Sequence, residues 1–171
     1  MKRLGEELAE GAEMSLYDPV LMKHAKTPYG FGRVERDDRD DGAGPVTACD
    51  TNRPCGDRVC FHVVAEPGAS TVRVRFEGEG CALAIGAASA LCEAVDGREL
   101  VEARRIVSGF ALALTDPAHD ERVTGDLAHF ARARAFPARV ACVTLGSAVL
   151  SHALDRLTPE GGPDDRRYPD R

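Results

Sequence analysis

The sequence predicts an α+β fold in which strands come first and helices follow. Apolar and polar residues alternate between Val46 and Phe76, and after Cys81 apolar residues recur at helical spacing. Strands and helices that are segregated along a chain are typical of α+β folds. The chain has 171 residues and a hydrophobic content of 43%, which is enough for one domain with its own core.

A short helix is predicted before the sheet. Ser15 or Asp18 can cap its start, and Pro19 suits its first turn. The run Thr-Pro-Tyr-Gly at residues 27–30 ends it. His24 has no sequence neighbour at metal-ligand spacing, so we interpret it as a residue of the helix face rather than a ligand.

Three strands are predicted, at residues 46–51, 58–65 and 72–76. The second and third flank a Pro-Gly turn at residues 66–69, which predicts an antiparallel hairpin. The Cys-Gly-Asp segment at 55–57 precedes this hairpin, and the Gly-Cys segment at 80–81 follows it. The hairpin therefore brings both segments to the same end of the sheet.

Four helical segments are predicted after Cys81, at residues 82–95, 100–114, 126–134 and 140–154. The first stops at Asp96-Gly97, and the second stops at Asp116-Pro117. The last segment is apolar on more than one side, which predicts a central buried helix. Cys142 lies near its start.

Charge and composition narrow the functional classes. The formal net charge is −6 and no basic stripe is present, so we expect no nucleic-acid partner. Residues 1–14 lack the apolar stretch of a signal peptide, and the apolar run from Cys81 to Cys92 is too short to span a bilayer. We therefore expect a cytoplasmic protein with no membrane contact.

Polar composition at the ends sets the expected domain boundaries. We predict a polar extension at residues 1–14, one domain at 15–156 and a disordered tail at 157–171. The charged run at residues 35–44, which includes Asp37 to Asp41, is predicted to be an exposed loop.

Six cysteines are many for a chain in a reducing compartment, where they favour metal binding, nucleophilic chemistry or packing over disulfides. Glycines at residues 78 and 80 turn the chain before a helix start that favours a thiolate at Cys81. With Cys55, Asp57 and Cys142, this residue would give three thiolates and one carboxylate. Such a set suits a tetrahedral Zn²⁺ ion or an iron–sulfur site with one labile ligand, and the long spacing leaves the choice open.

Four motifs occur in order: LYDPVLMKH at residues 16–24, NRPCGD at 52–57, FEGEGCA at 76–82 and FPARVACVTL at 136–145. Together they resemble the SufU branch of the NifU/IscU iron–sulfur cluster assembly family. The resemblance covers residues 16–154 and implies a three-stranded antiparallel sheet packed by about five helices. It also implies that Cys55, Asp57, Cys81 and Cys142 are the metal ligands.

Two features favour the SufU branch over the scaffold branch. Ala141 stands where scaffolds have a histidine, and residues 97–125 form the extra segment that the SufU branch shows. The resemblance then implies a zinc-bound sulfur acceptor for a SufS-type cysteine desulfurase, acting with other cluster assembly proteins. Cys55 would be released from zinc to attack the persulfide, which makes it the catalytic thiol. Arg139 would orient the thiolates, with a surface salt bridge as the alternative role.

Two rival functions use the same four residues. One is a scaffold that assembles a transient [2Fe–2S] cluster, which an oxygen ligand would make labile. The other is a structural zinc module, although structural zinc usually takes Cys and His rather than Asp. Cys49, Cys60 and Cys92 match no ligand position of the family, and we predict that they are packing residues.

Overall fold

The computed structural model describes residues 16–34, 44–65, 70–116, 118 and 123–157. The predicted extension at residues 1–14 and, except for Leu157, the predicted tail lie outside the described residues. So do most of the charged run at 35–44 and the turn at 66–69. The boundaries predicted from composition at both ends stay predictions.

The predicted three-stranded sheet is confirmed. Its strands are β1 (Val46–Asn52), β2 (Asp57–Ala65) and β3 (Val72–Glu79), and the order β1-β2-β3 is antiparallel throughout. Asn52 pairs with Asp57 across the β1–β2 turn, and Cys49 pairs with Cys60. β3 continues three residues beyond the predicted end at Phe76, because Glu77 and Gly78 still pair with β2.

The described residues form five α-helices and one 3₁₀ turn. They are α1 (Pro19–Lys26), α2 (Ala82–Val95), α3 (Leu100–Thr115), α4 (Leu127–Ala131), the 3₁₀ turn Arg132–Ala135 and α5 (Pro137–Asp155). The predicted α+β class and helix number are therefore confirmed. The predicted short helix at 126–134 is divided into α4 and the 3₁₀ turn.

Asp18 fixes the first helix and ties it to the rest of the fold. Its Oδ1 accepts the Leu21 N–H at 3.0 Å as an N-cap, directly before Pro19. Its Oδ2 lies 2.6 Å from His129 Nδ1 and accepts Arg132 Nη1 at 2.9 Å. Because both partners come from the segment before α5, one carboxylate joins the start of α1 to α4 and the 3₁₀ turn.

Both faces of the central strand are covered. Val59, Phe61 and Val63 are fully buried in the core that the helices complete. On the opposite face of β2, Cys60 and His62 are 5% and 6% exposed. Alternation in the sequence assigns each residue of β2 to one of the two faces. It does not show whether a face is buried, because burial depends on how the rest of the fold packs.

α5 is the central helix of the fold, as its apolar pattern predicts. It contacts β1, β2, α2 and α3. It is also the one helix among the described residues that is long and apolar enough to cross a membrane by length and composition. Half of that stretch is buried inside the fold, so its hydrophobicity is explained by core packing.

The prediction that Cys49 and Cys60 are packing residues is wrong. They form a disulfide across β1 and β2, with their Cα atoms 4.0 Å apart. The strand register places these two cysteines directly opposite each other, and this register depends on the turn length, which composition did not reveal. Cys92 is fully buried in α2, and burial raises the pKa of its thiol well above the ordinary value.

Candidate metal centre

Cys55 lies in the tight turn that joins β1 to β2. The N–H groups of Cys55 and Gly56 both donate to the Asn52 carbonyl oxygen, at 3.2 and 2.8 Å. Gly56 has a φ of +77°, a left-handed conformation that glycine adopts at little cost. The turn presents Cys55 to solvent and places Asp57 at the first position of β2.

Gly80 makes room for the Asp57 carboxylate at the junction of β3 and α2. Its φ is +155°, and a Cβ on this residue would lie 2.5 Å from Asp57 Oδ1. The next residue, Cys81, is the N-cap of α2 and donates its backbone N–H to Asp57 Oδ1 at 2.8 Å. The glycine therefore lets a buried carboxylate sit at the start of a helix, where a negative charge is favoured.

Cys142 reaches the same point from the N-terminal part of α5. It is 3% exposed, and its Sγ lies 4.0 Å from Cys55 Sγ. The Asn52 side-chain amide lies 4.0 Å from the same sulfur. The structure thus brings together all four residues that the sequence and the resemblance single out. It adds Asn52. The contact of this residue with Cys142 follows from the turn geometry, and no sequence pattern indicates it.

The spacing of the donor atoms is compatible with a tetrahedral ion. Zn–S bonds of about 2.3 Å and Zn–O bonds of about 2.0–2.2 Å place tetrahedral sulfurs about 3.8 Å apart and sulfur and oxygen about 3.5 Å apart. Cys55 and Cys142 meet the first value at 4.0 Å, and Cys81 Sγ meets the second at 3.4 Å from Asp57 Oδ2. The Cys55 thiol donates to Asp57 Oδ2 at 2.8 Å, so this pair would separate slightly around an ion.

The four donors differ in their mutual distances. Cys55, Asp57 and Cys142 each offer a ligand atom within 4.8 Å of the other two. Cys81 joins this group through Asp57, the residue that it also binds with its backbone N–H. Asp57 is consequently the residue that links the two cysteine-bearing segments of the sheet.

The electrostatics of the site favour a cation. Burial acts to raise the pKa of the Asp57 carboxyl, but hydrogen bonds from the Cys55 thiol and the Cys81 N–H outweigh it and lower that pKa. Burial, followed by the nearby Cys81 thiol and the hydrogen bond with Asp57, raises the pKa of Cys142 to about 12. A divalent cation would reverse the second effect, because it stabilises the thiolate that the crowded site otherwise resists.

The four residues are not equally accessible. Cys55 is exposed and Cys81 is half-buried, whereas Asp57 and Cys142 are 2% and 3% exposed. One thiol of the site is therefore open to an attacking or donating partner, while two ligands are fixed in the protein interior.

Arg139 lies in the first turn of α5 and is exposed. Its backbone N–H donates to the Phe136 carbonyl oxygen at 2.8 Å, and its side chain has no ion-pair partner among the described residues. Both roles predicted for this arginine stay predictions.

A second polar cluster surrounds His24, which the sequence left without partners. His24 is 1% exposed, and its Nδ1 and Nε2 lie 2.7 Å from Ser89 Oγ and 3.0 Å from Asp126 Oδ2. Glu93 Oε2 lies 3.4 Å from the same Nε2. Asp126 is 102 residues from His24, so no local pattern could indicate the contact. His24 is thus a buried, hydrogen-bonded residue of α1, and its interpretation as no metal ligand stays a prediction, because His24, Glu93 and Asp126 lie close enough together to hold an ion.

The comparison with known families agrees with this geometry. The family model described as the NifU-like N-terminal domain matches residues 16–154. The chain belongs to this family. The match covers the sheet, the five helices and all four candidate ligands, and the predicted family is thereby confirmed.

Relatives within the NifU-like family extend the comparison. The zinc-dependent sulfurtransferase SufU of Bacillus subtilis (strain 168) is 29% identical over 150 residues, which cover 86% of this chain and 94% of that protein. The iron–sulfur cluster assembly scaffold protein IscU of Streptococcus pyogenes serotype M1 is 29% identical over 145 residues, or 82% and 84% of the two chains.

A solved structure supports the same fold. The putative iron–sulfur cluster assembly scaffold protein FiSufU of Fervidobacterium islandicum AW-1 superposes with a TM-score of 0.67 at 25% identity. The superposition covers 84% of this chain and 99% of that one. The predicted SufU/IscU-like arrangement of sheet and helices is therefore confirmed.

Proposed function

We propose that the protein is a zinc-dependent sulfur acceptor that takes persulfide sulfur from a cysteine desulfurase during iron–sulfur cluster assembly. The observation that carries this proposal is one exposed thiol, Cys55, at a site that also contains two less exposed thiols and a carboxylate. The similarity to the zinc-dependent sulfurtransferase of Bacillus subtilis supports the same function.

Cys55, Asp57, Cys81 and Cys142 would hold the zinc ion. Bound zinc would keep the thiols as thiolates at neutral pH. Structural zinc sites are closed sets of cysteine and histidine ligands. A carboxylate ligand and an exposed thiol instead favour a site that exchanges one ligand.

The transfer step uses Cys55. Its thiolate attacks the outer sulfur of a persulfide on the desulfurase, forming a new S–S bond, while the S–S bond of the donor breaks. The donor cysteine leaves as a thiolate, and Cys55 becomes the persulfide. No external oxidant or reductant is needed, because the outer sulfur only changes its carrier. Asp57 and Cys142, which are buried, stay in place and preserve the shape of the site.

Arg139 would stabilise the thiolates from the edge of the site. It lies one helical turn before Cys142, on an exposed part of α5. A guanidinium near the thiols would favour their anionic forms and that of a departing donor thiolate. A role as a surface charge only is the alternative.

The partners follow from this chemistry. The donor would be a cysteine desulfurase of the SufS type, and the sulfur would pass on to other cluster assembly proteins. We expect these reactions in the cytoplasm, where thiols stay reduced. The net charge of −6 argues against a nucleic-acid partner.

A second candidate function is a scaffold for a transient [2Fe–2S] cluster on the same four residues. The similarity to the Streptococcus pyogenes scaffold protein favours it. Ala141, which is exposed beside Cys142, favours the acceptor instead, because scaffolds of this family carry a histidine there.

Metal analysis and a desulfurase assay separate the two functions. We expect anaerobically purified protein to hold about one zinc per chain, without iron or acid-labile sulfide. It should raise desulfurase turnover, and Cys55→Ala should reduce turnover to the level of the desulfurase acting without it. Cys92→Ala is the matched control, because Cys92 is a buried thiol away from the four ligands, and it should retain the full stimulation.

The contrary results are equally clear. Iron and sulfide in near-equal amounts would identify a scaffold. Full stimulation by the Cys55→Ala variant would exclude Cys55 as the acceptor. Protein that holds neither zinc nor iron would refute the four-residue site.

A further inference from the structure

The Cys49–Cys60 disulfide lies on the face of the sheet opposite to the core. Cys49 is exposed, whereas Cys60 is 5% exposed. Beside the disulfide is a groove of about 270 Å³, and its wall includes Arg33, Arg58, His62 and Glu77. The Glu77 carboxylate lies 2.8 Å from Arg33 Nε and 3.2 Å from His62 Nε2, so Arg58 is the groove cation that Glu77 does not pair with. The two sulfurs therefore differ in access, and the more accessible one faces a concave and partly cationic surface.

The domain does not depend on this cross-link for a core. Small domains need disulfides when they cannot bury enough apolar surface. Here buried side chains from all three strands and from α1 to α5 form one continuous cluster. A cross-link that such a core does not require is free to serve another purpose.

This sulfur pair is separate from the candidate metal centre. Side chains alternate along β2, so Asp57 points toward the core side and Cys60 to the other face. Three residue pairs of the β1–β2 ladder, ending with Asn52 and Asp57, separate the disulfide from the turn that carries Cys55.

We propose that Cys49 and Cys60 form a thiol–disulfide exchange site for small anionic thiols. The thiolate of such a thiol attacks Cys49 Sγ and forms a mixed disulfide, while the Cys49–Cys60 bond breaks and Cys60 leaves as a thiolate. A second thiol molecule then attacks the sulfur of the first small molecule in the mixed disulfide and releases Cys49 as a thiolate. The products are the dithiol protein and one oxidised small-molecule disulfide, so two electrons pass to the protein.

Access and charge assign the roles of the two cysteines. An incoming thiolate reaches the exposed Cys49, so Cys60 is the leaving group. Arg58 lies two residues before Cys60 on the same face of β2 and stabilises a departing thiolate. Arg58 and Arg33 also attract a thiol that carries carboxylates. Glu77 pairs with Arg33 at 2.8 Å and weakens the attraction between Arg33 and such a thiol.

Thiol mapping tests the site on the full-length protein. Protein purified in air without reductant is denatured in acid with a chelator, so that metal-bound thiols are released, then alkylated and mapped by mass spectrometry. We expect four alkylated cysteines and a Cys49–Cys60 link, and six alkylated cysteines after treatment with millimolar reduced glutathione. Cys92→Ala, as control, should lose one alkylated residue and keep the link.

Trapping variants test the assigned roles. With oxidised glutathione, Cys60→Ser should form a mixed disulfide at Cys49 at least ten times faster than Cys49→Ser forms one at Cys60. Arg58→Gln should slow reduction by glutathione several-fold more than reduction by neutral 2-mercaptoethanol.

Four results would overturn the proposal. They are six alkylated cysteines without reductant, a link that millimolar glutathione leaves intact, faster trapping at Cys60, and equal slowing of both thiols by Arg58→Gln. None of these readouts depends on zinc or on desulfurase activity, so they are independent of the proposed function.

Discussion

The Asp57 carboxylate binds both cysteine-bearing segments of the candidate metal centre. One oxygen accepts the Cys81 N–H at 2.8 Å, and the other accepts the Cys55 thiol at 2.8 Å and the Cys81 thiol at 3.4 Å. Its place depends on Gly80, because any larger residue there would occupy the volume of the carboxylate. The spacing of cysteines in the sequence indicates ligands, but only the fold shows that one carboxylate aligns them.

The Gly80→Ala variant should therefore weaken metal binding. Its Cβ would lie 2.5 Å from Asp57 Oδ1 and displace the carboxylate. We expect a loss of zinc affinity of about 10–100-fold, the size typical of disturbed ligand orientation. Competition with a chromophoric chelator measures it. Gly97→Ala is the control, since Gly97 also has a positive φ but has open space around it. Equal zinc affinity of the two variants would contradict the role given to Gly80.

Asp96 provides a second residue-scale prediction, away from the metal centre. It accepts the Val74 N–H at 2.9 Å, Arg75 Nη1 at 2.8 Å and the Tyr29 hydroxyl at 2.7 Å. Burial acts to raise its pKa, but these bonds outweigh burial and lower it. Asp96→Asn should reduce the free energy of unfolding by about 1.5–3 kcal/mol, as for hydrogen bonds to a charged group.

The sign of the pH dependence follows from the lowered pKa. The stabilisation by Asp96 is fully present above its unfolded pKa of 3.8 and is lost as pH falls through the folded value. The stability difference between wild type and Asp96→Asn should thus be constant near neutrality and shrink in acid. Denaturant unfolding at several pH values measures it, with the exposed Asp50→Asn as control. A difference that persists in strong acid would refute the assignment.

At the scale of elements, the β1–β2 hairpin carries both candidate metal ligands and a disulfide. Its turn carries Cys55, its second strand begins with Asp57, and its middle is closed by the disulfide. The pairing of β2 with β3 was predictable from alternation around a Pro-Gly turn. The register of β1 was not, because the turn at residues 53–56 has no strong hairpin signature, and so the facing of Cys49 and Cys60 was missed.

Reduction of the disulfide should destabilise the protein measurably. The linked cysteines are 11 residues apart, and closing a loop of this length restricts the unfolded chain by roughly 2–3 kcal/mol. Guanidinium unfolding of oxidised and reduced protein, with the reductant removed beforehand, measures the difference. The double variant Cys49→Val/Cys60→Val should unfold identically with and without reductant. Equal stability of oxidised and reduced wild type would contradict the expected effect.

At the scale of the whole molecule, the core extends far beyond the candidate metal centre, which it contacts through Cys142 and Cys81. The core is a continuous cluster that includes Phe61, Phe76, Phe110 and Phe130, all at most 1% exposed. Fold class, strand number and the central helix follow from hydrophobic patterning, since burial dictates that pattern. The contact of His24 with Asp126 does not, because it joins residues that are distant in sequence.

Metal removal should leave this fold intact. Proteins whose folding depends on a structural zinc ion unfold when a chelator removes it, because little else stabilises them. Here the core should preserve the secondary structure, and the melting temperature should fall only by the contribution of ligand binding to the folded state. Far-ultraviolet circular dichroism and calorimetry before and after chelation test this. Loss of helical signal on chelation would favour a purely structural zinc module.

The placement of Cys142 on α5 also bears on when the protein becomes competent during its synthesis. Cys55, Asp57 and Cys81 emerge from the ribosome first, and Cys142 emerges with the last helix. That helix packs on β1 and β2, so the four donors first meet when the final element has docked on the sheet. A nascent chain would offer an ion three donors at most. Complete coordination by the four candidate ligands would therefore require that α5 has been synthesised and has docked on the sheet.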